Sequence, residues 1–196
     1  MIAATVLALA VWTHRSRSAA ATVGPEGVVL ETGAPLALSD TTATGRTVDG
    51  IGCLSGEQVA YHIHVHLSVF VRGQPRQVPA GIGIAGPRHV QHTPVGDFVD
   101  DGSCFYWLHT HAADGIIHVE SPVAHEFSLG DFFDIWRQPL SAVSAGPARG
   151  PVTVFVDGQQ VATDPRDVTL TEHKVIQLEV GAPLVPPRPV TFPPGL

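Results

Sequence analysis

Histidines recur at every second position in three short stretches of the sequence. The stretches are His62-Ile-His64-Val-His66, His109-Thr-His111 and His118-Val-Glu120, the last with a glutamate in its second polar place. Side chains at positions i and i+2 of a β-strand point to the same face of the sheet. The spacing therefore predicts three strands that carry polar groups on one face and apolar residues on the other.

These residue types at this spacing are suited to binding a metal ion. Neutral imidazole nitrogens bind borderline cations such as Zn²⁺ and Cu²⁺ at about 2.0–2.1 Å. His62 and His66 lie about 13 Å apart along a strand, so one ion cannot bind all three histidines of the first stretch. The sequence predicts a divalent-metal site built from these histidines. Either one histidine of the first stretch has a supporting role, or there are two metal positions.

Glu120 is the one carboxylate that shares a strand face with a histidine in these stretches. A nearby cation lowers the pKa of a carboxyl group, so Glu120 stays ionised and can orient an imidazole or accept a proton. The leading hypothesis is an extracytoplasmic metal-binding protein. The alternative is a histidine-ligated metalloenzyme that uses metal-bound water for hydration or hydrolysis, with Glu120 as the base. A surface interaction domain with a structural metal is a third hypothesis.

Composition excludes several other classes of function. The chain has 196 residues, 44% of them apolar and 15% charged, which is too apolar for a disordered protein. The net charge of −7 argues against a nucleic acid partner, which needs a basic face. A single methionine argues against a thioether site for Cu(I). The phosphate-binding, dinucleotide-binding, G-x-S-x-G and H-E-x-x-H motifs do not occur in the sequence.

The N-terminus and the two cysteines predict export. Residues 1–21 contain an apolar run, 2–12, followed by three alanines, the pattern of a signal or membrane-anchor segment. The run has no basic residue before it, which a start assigned too far downstream would explain. In an exported chain, Cys53 and Cys104 are expected to form a disulfide, with metal ligation or free thiols as the alternatives. We expect a protein that is secreted or anchored to the cell membrane, and the sequence does not identify its protein partners.

The elements that position the histidines follow from periodicity and turn residues. The predicted strands are 61–72, 77–78, 105–109, 116–120, 152–156, 160–162 and 174–180. A capping pattern at Ser128 and Asp131 predicts one helix over about 128–138. The short loop 112–115 allows the second and third histidine stretches to meet as a hairpin. The fold class is α+β, a mainly antiparallel sheet of hairpins with one crossing helix, for which a β-grasp arrangement is the specific hypothesis.

The predicted domain organisation has four parts. Residues 22–50 have little periodicity and are expected to form a flexible tether, and 51–181 form the histidine-rich α+β domain. Residues 182–196 contain six prolines and are expected to form an extended tail.

Four segments of the domain resemble a group of secreted or membrane-anchored bacterial domains. The segments are 62–73, 104–111, 115–122 and 127–136, which contain H-x-H-x-H, W-L-H-T-H and G-x-I-H-x-E motifs. The resemblance covers about residues 53–181 and implies export, but it supplies no activity. In that group an aspartate follows the second histidine of H-T-H, whereas this chain has Ala112 there and Asp114 two residues later. Any acid–base role of that aspartate therefore does not transfer to this chain.

Overall fold

The computed structural model describes residues 21–196, so nearly all of the predicted signal or anchor segment at 1–21 lies outside the described residues. Between residues 21 and 196, no helix has both the length and the apolar character needed to cross a membrane.

The described chain is mostly β-strand, with one α-helix and two short 3-10 turns at Ser39–Thr41 and Pro165–Asp167. In chain order the elements are β1 (Cys53–Leu54), β2 (Tyr61–Val71), β3 (Gln74–Arg76), β4 (Ile84–Ala85), β5 (His89–Thr93), β6 (Gly96–Asp101), β7 (Cys104–Tyr106), β8 (Leu108–His109), β9 (Ile116–Ser121), β10 (Phe127–Ser128), α1 (Leu129–Trp136), β11 (Leu140–Ser141), β12 (Ser144–Ala145), β13 (Ala148–Arg149), β14 (Val152–Val156), β15 (Gln159–Val161), β16 (Thr169–Leu170) and β17 (Val175–Val180).

The main sheet has the strand order β15-β14-β17-β2-β9-β8, and β3 pairs with the C-terminal end of β2. The last strand, β17, lies parallel to β2 in the centre of the sheet, whereas the other pairs in this sheet are antiparallel. The chain forms a first hairpin (β2 and β3), then helix α1, then a second hairpin (β14 and β15). The last strand, β17, lies in the centre, parallel to β2. This is the order of elements in a β-grasp arrangement. The predicted α+β class, a largely antiparallel sheet with one helix, is confirmed.

Strand β2 separates the apolar core from a polar face. Its residues Ile63, Val65 and Leu67 are buried in one cluster with the aromatic side chains of α1, including Phe132 and Trp136. The alternate residues of β2 point away from the helix, because successive side chains on a strand alternate between faces. Burial of the apolar side therefore fixes which side of the sheet carries the histidines.

Helix α1 begins where the capping pattern predicts. The Ser128 hydroxyl accepts a hydrogen bond from the Asp131 backbone N–H at 3.2 Å, and the Asp131 carboxylate accepts one from the Ser128 N–H at 2.8 Å. These two bonds satisfy amide groups that the first helical turn leaves without partners. The helix ends at Trp136, and the next residue, Arg137, caps it in a left-handed conformation with φ of 58°.

Both ends of the described chain pack over the polar face of the sheet. Arg188, in the proline-rich C-terminal segment, donates from its backbone N–H to the Gln177 side-chain oxygen at 3.0 Å. Its guanidinium pairs with Glu31 at 3.1 Å and lies 4.6 Å from the Phe70 ring centroid. Glu26, five residues before Glu31, contacts His118. The N-terminal segment and the C-terminal segment therefore form a layer over the sheet and over part of the histidine cluster.

The two cysteines form the predicted disulfide. Cys53 in β1 and Cys104 in β7 are bonded, with their Cα atoms 5.4 Å apart, and β1 and β7 also pair as antiparallel strands. The bond links the segment just before β2 to the segment just before β8. It therefore ties together the two parts of the chain that carry five of the six predicted histidine ligands.

Candidate metal centre

Three adjacent strands bring the predicted histidines together. In the antiparallel register of β2 and β9, His62 lies opposite Glu120 and His64 lies opposite His118. In the register of β9 and β8, His118 also lies opposite His109. We call the resulting cluster the histidine face; its members are His62, His64, His109, His111, His118 and Glu120.

His109 and His111, which we call the loop pair, point their Nε2 atoms at each other across 3.2 Å. The Nδ1–H of His109 donates to the Tyr106 carbonyl at 2.9 Å, and the Nδ1–H of His111 donates to the Val99 carbonyl at 2.5 Å. A neutral imidazole carries one proton, so these two bonds leave both Nε2 atoms as bare lone pairs. Two lone pairs facing each other attract a cation and cannot form a hydrogen bond.

His62 and His64, which we call the column pair, form a second close contact on β2. Their Nε2 atoms are 3.0 Å apart, and the His62 Nε2 is also 3.0 Å from the Glu120 Oε1. His62 is the outermost member, with its side chain 35% exposed, whereas Glu120 is 3% exposed. The second carboxylate oxygen of Glu120 is buried and has no partner among the described residues.

His118 lies between the two pairs and between two glutamates. Its Nε2 is 2.6 Å from the Glu26 Oε1, and its Nδ1 is 3.5 Å from the Glu120 Oε1. Burial by itself lowers the pKa of this imidazole. Hydrogen bonds and charge from Glu120 and Glu26 outweigh burial and raise the His118 pKa to about 9.

Three other imidazoles of the cluster, those of His64, His109 and His111, are held neutral. Burial, followed by the neighbouring His118 and His62, lowers the pKa of His64 to about 3. Burial is also the main cause that lowers the pKa of His109 and His111, and repulsion from His118 adds to it. The neutral imidazole is the form that binds a metal ion, so these residues need no deprotonation before they bind one.

The histidines and glutamates form three groups that are each close enough to hold a metal ion. The groups are His62 with His64 and His118, His109 with His111 and His118, and Glu57 with His109 and Glu120. Within each group, one ligand atom from every member lies within 4.8 Å of the others. Five of the six predicted histidines and the predicted glutamate therefore converge.

His66 is the one predicted ligand outside these groups. It is the last of the three alternate histidines of β2, and it lies opposite Ile116 of β9 and beside Val175 of β17. Its ring packs against Gly115, where an added Cβ would lie 3.0 Å from the His66 Nε2. Burial lowers the pKa of His66 to about 4, and its Nδ1 has no partner among residues 21–196.

Two glutamates that contact the histidine face could not be recognised as site residues from the sequence. Glu26 comes from the segment expected to be a tether, and Glu57 lies in the loop before β2, with its Oε1 3.3 Å from the His111 Nε2. Neither residue has the alternate spacing that marks the histidines. Glu26 also acts on a neighbouring carboxyl group, that of Asp114. Burial, followed by the charge of Glu26, raises the pKa of Asp114 to about 8.

Comparison of the chain with family models, with curated proteins and with solved structures gave no match in any of the three searches. The resemblance of the motifs stays an expectation from the sequence.

Proposed function

We propose that this protein binds a divalent transition-metal cation, Zn²⁺ or Cu²⁺, on the histidine face. His109 and His111 are the ligands that we assign first; His118, which must lose its proton to bind, and Glu57 are further donors. Imidazole with carboxylate is a donor set that both cations accept. Cysteine ligation is not part of the proposal, because both cysteines are bonded to each other.

The contact within the loop pair is the observation that carries the proposal. In a metal-free site, two Nε2 atoms 3.2 Å apart need a proton between them. Both Nδ1 atoms already donate to carbonyl oxygens, so such a proton would make one ring an imidazolium in a buried position. A cation bound to both lone pairs removes this conflict. The carbonyl oxygens of Tyr106 and Val99 then fix the orientation of the rings, as outer partners of metal-binding histidines commonly do.

Burial of the ligands favours a binding role over catalysis. His109 is fully buried, and His64, His111 and His118 are each exposed by less than a tenth. Glu26 also occupies the side of His118 that its Nε2 faces. A catalytic centre needs an open position for substrate and water, whereas the exposed residues here, His62 and the neighbouring Glu57, lie at the rim of the histidine face. The metalloenzyme hypothesis, with Glu120 as base, stays the second candidate.

We place this binding function outside the cytoplasm. The disulfide between Cys53 and Cys104 is a bond that persists in oxidising compartments. The apolar N-terminal run agrees with export or anchoring, as its sequence predicts. Analysis of cell fractions with an antibody against the folded domain tests this part of the proposal.

Metal analysis of protein made without a histidine tag tests the binding itself. We expect Zn²⁺ or Cu²⁺ to co-purify, to be removed by a chelator and to rebind. Replacing the loop pair, His109→Gln with His111→Gln, should lower the metal content below that of the wild type. The matched control replaces two histidines of β5, His89→Gln with His92→Gln, whose side chains are 67% and 79% exposed. Equal metal content in both double variants would disprove the assignment.

A further inference from the structure

We propose that the histidine face holds two divalent cations, one at the loop pair and one at the column pair, with His118 and Glu120 between them. This inference rests on the proposed metal-binding function and extends it to a second site. The second cation has His62 and His64 as its ligands, with His118 as the third member of their group, and is of the same chemical class, Zn²⁺ or Cu²⁺.

The distances do not allow one ion to bind both pairs. Two ligands on opposite sides of one Zn²⁺ ion are at most about 4.2 Å apart, given bonds of about 2.1 Å. No group of ligand atoms within 4.8 Å contains a histidine of the loop pair and a histidine of the column pair, among the residues that the structure describes. Each pair has its own short contact instead, 3.0 Å for the column pair and 3.2 Å for the loop pair. These separations are close to the ligand–ligand distance of about 3.4 Å around one tetrahedral ion.

The column pair also contains a close contact that one proton cannot fully satisfy. The His62 Nε2 lies 3.0 Å from both the His64 Nε2 and the Glu120 Oε1. A single proton on His62 can make one good bond and leaves the other close contact unsatisfied. A cation bound to the two imidazole nitrogens removes this conflict, and Glu120 then lies beside it as a neighbouring negative charge.

The carboxylates supply the charge that two cations require. Glu120 is in contact with His62 and also belongs to the group that contains His109 and Glu57. Glu120 is buried, and its Oε2 has no partner among the described residues. Unpaired buried carboxylate oxygens are costly, and bound cations are their usual partners. A carboxylate within reach of both positions is also a regular feature of sites with two metal ions.

Stoichiometry distinguishes this inference from the proposed function. The chelator-treated full chain is titrated with Zn²⁺ against a chromophoric competitor. We expect two equivalents in the wild type, one in His62→Gln with His64→Gln, and one in His109→Gln with His111→Gln. The control, His89→Gln with His92→Gln, should keep two. Circular dichroism checks that each variant is folded.

Several results would overturn the second site. A wild type that saturates at one equivalent removes it and leaves the proposed function standing, whereas no binding at all removes both. Two equivalents in the column-pair variant would also reject it. A measurement on the wild type needs no variant to fold: Cu²⁺ added to two equivalents should give an electron paramagnetic resonance spectrum with coupling between the ions. A spectrum of isolated Cu²⁺ at two equivalents would contradict the inference.

Discussion

The imidazoles of the sheet differ in protonation because their surroundings differ. His118 is bracketed by Glu26 and Glu120, and its pKa is raised to about 9. For His64 and His66, burial is the dominant influence on the pKa. It lowers the pKa of His64 to about 3 and that of His66 to about 4. In the folded, metal-free protein, His64 and His66 are therefore neutral near pH 6.5, whereas in the unfolded chain they take up a proton at about that pH.

Acid should destabilise the metal-free protein in part through His66. Its pKa is depressed in the folded state, so its contribution to stability is complete above pH 6.5 and is lost as the pH falls towards 4. Between pH 7 and pH 5 this loss is about 2 kcal/mol. His66→Gln should reduce the difference in unfolding free energy between the two pH values by that amount, as measured by denaturant unfolding. The exposed control His89→Gln should keep the wild-type difference, and an unchanged difference in His66→Gln would reject the explanation.

Glu120 should contribute to metal affinity through its charge. Glu120→Gln keeps the shape of the side chain and removes its charge. We expect affinity to fall by about 10–100-fold with the number of bound ions unchanged, the usual effect of losing an outer partner or a weak ligand. Competition titration with Zn²⁺ measures the change, and the exposed Glu126→Gln is the control. Unchanged affinity would leave a site made of histidines alone.

The loop between β8 and β9 determines how the loop pair meets His118. Gly115 closes this loop with φ of 87°, a left-handed conformation that is strained for residues with a Cβ. An added Cβ would lie 2.5 Å from the Leu67 carbonyl oxygen as well as near His66. The loop therefore depends on glycine both for its conformation and for its close approach to β2.

Gly115→Ala should damage the fold and the site together. We expect a loss of about 1–3 kcal/mol in unfolding free energy, the usual range for a residue forced into a strained backbone conformation. Zn²⁺ affinity should fall as well, because β8 and β9 can no longer hold His109 and His118 in register. Gly56→Ala is the matched control, since a Cβ there meets no atom within 4 Å. Wild-type stability and affinity in Gly115→Ala would contradict this role of the loop.

At the scale of the whole molecule, the two chain ends hold each other over the sheet. Arg188 connects the C-terminal segment to Glu31 in the N-terminal segment and to Phe70 in β2. The same N-terminal segment supplies Glu26 to His118. The covering layer and the histidine face are therefore parts of one packed structure.

Arg188→Ala should loosen this layer. We expect the unfolding free energy to fall by about 1 kcal/mol, because the ion pair is half exposed and the stacking on Phe70 adds a modest term. Amide hydrogen exchange should become faster in residues 21–31 and 183–196, while the exposed Arg46→Ala should have no such effect. Unchanged exchange in Arg188→Ala would show that the two ends are held by other contacts.

The sequence by itself determined the features that depend on neighbouring residues. Alternation along β2 predicted that His62 and His64 share a face, the Ser128–Asp131 pattern predicted the start of α1, and the short loop 112–115 predicted the hairpin that carries His109 and His118. Periodicity and capping are local, so a single stretch of chain is enough to specify them.

Only the tertiary structure decided which of these groups meet. The parallel pairing of β2 with β17 joins strands about 110 residues apart, and it places His66 beside β17, outside the cluster. Glu26 and Glu57 reach the histidines from segments without any periodic signal. The bare lone pairs of His109 and His111 depend on carbonyl oxygens of Tyr106 and Val99, which the fold positions. Contacts of this kind arise from packing between distant segments, and no local pattern in the sequence encodes them.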